Sequence, residues 1–130
     1  MQSTIINEAG NWSYWSKALK EELENARNNF QVGAQLVLEN KQLKVWTIHL
    51  PPNERLPFHT HNKPYLWTAL SEGKARSYFD DGSVKDNTYE IGDTMYYDDL
   101  HEEHYFVHDL KNIGKSILIF STIEFKKTKK

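Results

Sequence analysis

The run Gln42-Leu-Lys-Val-Trp-Thr-Ile-His-Leu50 sets Leu43, Val45, Thr47 and His49 on one side and Lys44, Trp46, Ile48 and Leu50 on the other. That is the two-residue period of a β-strand. Pro51-Pro-Asn-Glu-Arg55 ends it, because proline has no N–H to donate to a ladder. The same texture extends in both directions. Gln35 to Leu38 reads as a strand joined by a turn at Asn40-Lys41, and Phe58 to Leu70 as strand interrupted near Pro64. Ser71-Glu-Gly73 turns the chain into Lys74 to Phe79. Asp80-Asp-Gly82 then predicts a hairpin, since Asp-Gly supplies the positive φ a tight turn needs. Val84 to Ile91, Thr94 to Tyr97 and two strands between Tyr105 and Phe125 complete about eight short strands. Regular spacing of this kind predicts a closed or sandwiched antiparallel all-β architecture.

One segment departs from the period. Trp12, Trp15, Leu19, Leu23, Ala26 and Phe30 recur at steps of three and four, which predicts one amphipathic helix over 12–30, capped by Ser13 or Ser16. Its apolar stripe is expected to cover a sheet.

The 130 residues are expected to form a single domain over 1–130, with 38% apolar and 26% charged residues. Sixteen basic against 18 acidic residues leave a formal charge of −2, which argues against nucleic acid as main partner. The basic Lys126 to Lys130 end is too short to reverse that. With no cysteine, disulfides, zinc–thiolate sites and thiol nucleophiles are excluded. No secretory signal or membrane span is legible, and Ile117-Leu-Ile-Phe120 is far short of the roughly 20 residues a spanning helix requires. A cytoplasmic location is expected.

His59-Thr60-His61 carries the chemistry. On a strand, residues i and i+2 point the same way with Cα atoms about 7 Å apart, so two imidazoles converge as two ligands on one ion would. His101, His104 and His108 follow a few strands later. His101, in the acidic loop, is expected to be solvated, and His49 to be a strand-end residue.

With these residues the chain resembles the cupin superfamily over residues 36–126. The first cupin motif, G-x5-H-x-H-x(3,4)-E-x6-G, is met by Asn53 in place of the opening glycine, then His59, His61 and Gly73. Gly92-Asp93 opens the second, and His108 and Asn112 meet its closing H-x3-N, followed by Gly114. Within the superfamily the chain looks most like small β-alanine-degradation cupins, on Glu39-Asn40, Pro51-Pro52, Pro57, Asn112-Ile-Gly114 and Ile123-Glu-Phe-Lys126. The resemblance implies a jelly-roll β-barrel and a mononuclear site for one divalent transition metal (Fe, Ni, Zn or Mn) held by His59, His61 and His108. It further implies a small-molecule ligand and a homodimer.

Three departures stand out. The metal-binding glutamate of the first motif is absent. Tyr65 or Leu66 takes its place depending on the spacer, and strand parity selects Tyr65, with Trp67 beside it. The proline and glycine before the second-motif histidine are replaced by Asp98 and Leu100. Gly92 to His108 is five residues longer than the motif, which admits His104 as a substitute for His108. The two cannot share one ion easily, since four residues of strand separate their Cα atoms by about 13 Å. Resemblance to three-histidine thiol dioxygenases and to small cupin lyases leaves the reaction open between oxygenation and lyase or isomerase chemistry. Tyr65 would be the acid/base or neighbouring group. Trp67, Arg76 and Tyr78 are the expected substrate contacts, Arg76 holding a carboxylate. The alternative is a metal-free cupin that binds a small molecule without catalysis.

Overall fold

The computed structural model describes residues 1–128. These contain ten strands: β1 (Gln2–Asn7), β2 (Gln35–Glu39), β3 (Leu43–Leu50), β4 (Arg55–His61), β5 (Tyr65–Ala69), β6 (Gly73–Tyr78), β7 (Val84–Tyr89), β8 (Thr94–Tyr97), β9 (Phe106–Asn112) and β10 (Leu118–Phe125). They build two five-stranded antiparallel sheets in the orders β1-β7-β6-β9-β4 and β2-β3-β10-β5-β8. From β4 to β10 the chain passes repeatedly from one sheet to the other, the winding of a jelly roll. The expected all-β fold is present with one correction. The sheets face each other without closing, so the molecule is an open sandwich rather than a barrel.

Strand β1 has no counterpart in the sequence reading. Its side chains are exposed up to Asn7, so no apolar alternation marks it. β-Branched Thr4, Ile5 and Ile6 suit a strand, and pairing to β7 fixes it there.

Ile48, Leu50, Leu56, Ala69, Ala75, Tyr89, Leu110, Leu118 and Phe120 fill the space between the sheets. A second cluster, of Trp15, Leu23, Ala26, Phe58 and Val107, lies on the other face of the first sheet. It is closed by α1 (Lys17–Asn25), which is shorter than the 12–30 expected. Ser16 stands extended and caps the helix, its Oγ accepting from Leu19 N at 3.2 Å. The preceding Trp12–Tyr14 segment is a separate 3₁₀ turn. Trp15 sets the break: its Nε1 donates to Gly82 O at 2.9 Å and its ring stacks on Phe58. Those long-range contacts override the helical period. At the far end Asn29 Nδ2 donates to Phe58 O, which holds the chain against β4.

Arg55 joins helix to sheet. Its Nη1 and Nη2 donate to the two Glu22 carboxylate oxygens at 2.8 and 2.6 Å, and its Nε donates to Asp109 at 2.7 Å. The Asp-Gly hairpin is where the sequence places it, with Gly82 at φ 91°. No helix among the described residues is long and apolar enough to cross a membrane.

Candidate metal centre

Plain alternation along β4 would put Leu56 and His59 on opposite faces, yet both point between the sheets. Leu56 pairs with Leu110 and His59 with His108, three steps on β4 against two on β9. This one-residue bulge spans Pro57 and Phe58. It turns Phe58 outward under the helix and swings His59 and His61 inward. Bulges near active sites commonly re-aim a side chain in this way. Thr60 stays on the helix side, its Oγ1 donating to Ala26 O and Arg27 O at 3.2 Å each.

β9 supplies His108 directly opposite His59. One ring nitrogen from each of His59, His61 and His108 falls within 4.8 Å of the others, and His61 Nε2 lies 3.1 Å from His108 Nε2. Nitrogens about 2.0–2.1 Å from a shared tetrahedral ion are themselves about 3.4 Å apart, so the cluster can hold a metal ion. His59 Nδ1–H donates to Pro57 O at 2.8 Å, which leaves its Nε2 lone pair for the site. The buried Nδ1 atoms of His61 and His108 have no hydrogen-bond partner among the described residues. Burial lowers all three pKa values, His59 to about 4, so the rings are neutral imidazoles, the ligating form. Mutual repulsion adds to the lowering for His61 and His108, and the Arg55 charge adds to it for His59.

The remaining sequence candidates divide. Tyr65 faces inward, 3% exposed, while Leu66 is partly exposed, but it does so on β5 of the second sheet and not, as parity assumed, on one strand with His59 and His61. Its ring stacks on His61 at 3.9 Å between centroids, and Tyr97 stacks on its other side at 5.0 Å. Burial pushes the phenol well above its ordinary value of 10, which keeps Tyr65 protonated at neutral pH, a hydrogen-bond donor rather than a base. Trp67 lines the same cavity, about 400 Å³ of space that includes its open mouth, with Tyr65, Tyr89, Phe120 and Thr122.

Arg76 and Tyr78 are not brought to this cavity. Arg76 Nε and Nη2 donate to the two Asp86 carboxylate oxygens at 2.7 and 3.0 Å, and Tyr78 packs edge-on against Trp15. Both lie on the helix side of the first sheet, because the alternation of β6 carries Ala75 and Ser77 inward instead. His104 does not substitute for His108. It sits outside β9, bridged to His101 in the lengthened loop and 3.3 Å from Asp99. His49 is exposed next to the end of β3.

Two features escaped the sequence reading, and the place of Asn53 in the first motif gains an explanation. Phe106, paired with His61 across the β4–β9 ladder, and Tyr97 of β8 wall the site, with the Phe106 ring 5.1 Å from both His61 and His108. Glu124 is buried in register with Tyr65, its carboxyl pushed up by burial, but it is not among the converging donors. Asn53 has φ 69°, which accounts for glycine at that place in the cupin motif.

No protein-family model matches the chain, and no curated protein is significantly similar to it in sequence. Solved structures are similar in fold. A cupin domain from Bordetella pertussis superposes with a TM-score of 0.61 at 20% identity, covering 72% of this chain and 91% of that one. A double-stranded β-helix protein from Klebsiella pneumoniae gives 0.56 at 22% identity, over 85% and 87%. A DMSP lyase from Ruegeria pomeroyi gives 0.50 at 13% identity, over 70% of this chain and 42% of the lyase. At these identities the likeness is one of fold: the structural neighbours are cupin-domain proteins.

Proposed function

We propose that the chain is one cupin domain over residues 1–130 whose His59, His61 and His108 hold a single divalent transition metal, Fe, Ni, Zn or Mn. On this reading it is an enzyme acting on a small polar or carboxylate-bearing metabolite, by oxygenase or lyase/isomerase chemistry. The observation that carries it is the meeting of His59 and His61, turned inward by the bulge in β4, with His108 of β9, three neutral imidazoles with one ring nitrogen each within 4.8 Å of the others. Three histidines without a carboxylate form a neutral set suited to this group of metals. When bound, the ion would act as a Lewis acid or activate oxygen at its open positions. The chain's own part follows from the cavity. Aromatic walls from Tyr65, Trp67, Tyr97 and Phe106 exclude water, and the protonated Tyr65 hydroxyl donates to the ligand. The motif resemblance favours the β-alanine-degradation type of small cupin.

A cytoplasmic homodimer without nucleic-acid or membrane partners completes the reading. Leu38, Val45, Ile123, Leu66 and Tyr96 align in one row across the outer face of the second sheet. Leu38 and Tyr96 at its ends are 51% and 57% exposed. Strand β2 beside them is a free edge, and an antiparallel copy of the same edge is complementary to it by symmetry.

The test is metal analysis of untagged protein beside a His59→Ala/His61→Ala double variant. Near-stoichiometric metal is expected in the first and none in the second. Metal at a hundredfold its Kd should stabilise the protein by about 2.7 kcal/mol, a rise in Tm of about 10 °C. A metal-free protein whose Tm is unmoved by Fe, Ni, Zn and Mn would instead be a non-catalytic binding cupin.

A further inference from the structure

Four buried polar side-chain atoms have no hydrogen-bond partner among the described residues: Nδ1 of His61, Nδ1 of His108, Nε1 of Trp46 and Oδ1 of Asn87. The first two belong to the histidine cluster, and Trp46 Nε1 faces the Glu124 carboxyl. Asn87 has no such account. It sits on β7 two residues before Tyr89, and both point between the sheets into a second chamber, about 370 Å³ including its opening. Ser77, Phe79, Tyr97 and His108 line that chamber too. The second chamber and the histidine cavity share Tyr65, Trp67, Tyr89, His108 and Leu110, so the two spaces adjoin. The Asn87 amide N–H2 lies toward the Tyr89 phenol, whose pKa burial raises to about 12 and that amide partly offsets. The Oδ1 is thereby left as a bare acceptor.

A buried acceptor without a donor costs stability and is rarely left in place without a use. We infer that Asn87 Oδ1 is a specificity-determining contact, accepting a hydrogen bond from a hydroxyl or N–H group at the end of the ligand remote from the histidines. This deepens the proposed function and rests on it. The ligand becomes a short two-ended molecule, one end directed at the His59/His61/His108 cluster and the other carrying a hydrogen-bond donor. Trp67 and Tyr89, which pack edge to face at 5.3 Å, would flank the carbons between.

The experiment uses Asn87→Leu, close in shape and without polar atoms. Metal content is measured first and is expected to equal wild type, since Asn87 is not one of the converging donors. Isothermal titration then compares glycolate, 3-hydroxypropionate and 4-hydroxybutyrate with acetate, propionate and butyrate, pairs that differ by one hydroxyl. Wild type should bind the best hydroxy acid about tenfold or more tightly than its alkanoate, because a site built around a buried polar group rejects the analogue lacking its partner. In Asn87→Leu that ratio should collapse toward one. Equal affinities within each pair, a hydroxyl preference that survives the substitution, or no binding of any member of the series would overturn the inference. Loss of metal from wild type would count against the proposed function instead, and is read independently.

Discussion

Removing one buried imidazole should change how the metal-free protein responds to acid. His59 is 2% exposed, and burial holds its pKa at about 4 against 6.5 for an ordinary histidine. The folded form therefore resists a proton that the unfolded chain accepts. Stability is full above pH 6.5 and falls as the pH drops toward 4. Between pH 7.5 and 4.5 that is about two units of linkage, or about 3 kcal/mol from this residue alone. His61 and His108 act in the same direction. The assay is urea unfolding in EDTA at both pH values, for wild type and for His59→Gln, which fills similar space and does not titrate there. Other groups, such as Asp109 and Glu22, titrate in both proteins and cancel in the comparison. The variant should lose less stability on acidification than wild type, by about 3 kcal/mol, with unchanged m-values. Equal losses in the two proteins would show that His59 is protonated in the folded state, and the reasoning from burial to neutral ligand would fail.

Asn112 is fully buried: its Nδ2 donates to Leu50 O and Ser116 O, and Gly114 N donates to its Oδ1. Asn112→Ala orphans all three groups and should cost about 3 kcal/mol or more in urea unfolding. Arg55→Ala leaves Asp109 buried without its cation and should destabilise by about 3–5 kcal/mol, with partial recovery in Arg55→Ala/Asp109→Asn. Asn53→Gly relieves a positive φ and should raise Tm slightly without altering metal content; a lower Tm would mean the Asn53 side chain stabilises the turn. Leu38→Lys breaks the apolar row at the free edge and should convert a dimer to monomer by light scattering, at little cost to Tm.

Much of this molecule was legible in one dimension. Alternation of apolar and polar residues is imposed by the two faces of a strand, so β3 and β5 to β9 could be read within a residue or two, whereas β4 begins at Arg55, three residues before the expected Phe58 and inside the expected loop. Asp81-Gly82 announced its hairpin, because few residues accept the backbone angles that turn requires. The pairing of His59 with His61 followed from parity within one strand, whereas Tyr65 faces inward on a separate strand of the other sheet. Absence of cysteine settled which chemistries are closed to the chain.

Relations between distant segments had to come from the fold. Ring contacts of Trp15 with Phe58 and its bond to Gly82 cut the helix short, although the helical period continues through it. Arg76 looked available from its charge, but its side of β6 was decided by pairing to β7 and by Asp86. His104 and His108 were equivalent by residue type, and only the start of β9 at Phe106 separated them. Whether His59 faced inward at all depended on the bulge at Pro57 and Phe58, and a bulge is a mismatch between two strands. Local chemistry is written into each residue and its neighbours, whereas register is a property of pairs far apart in sequence, fixed only when the sheets pack.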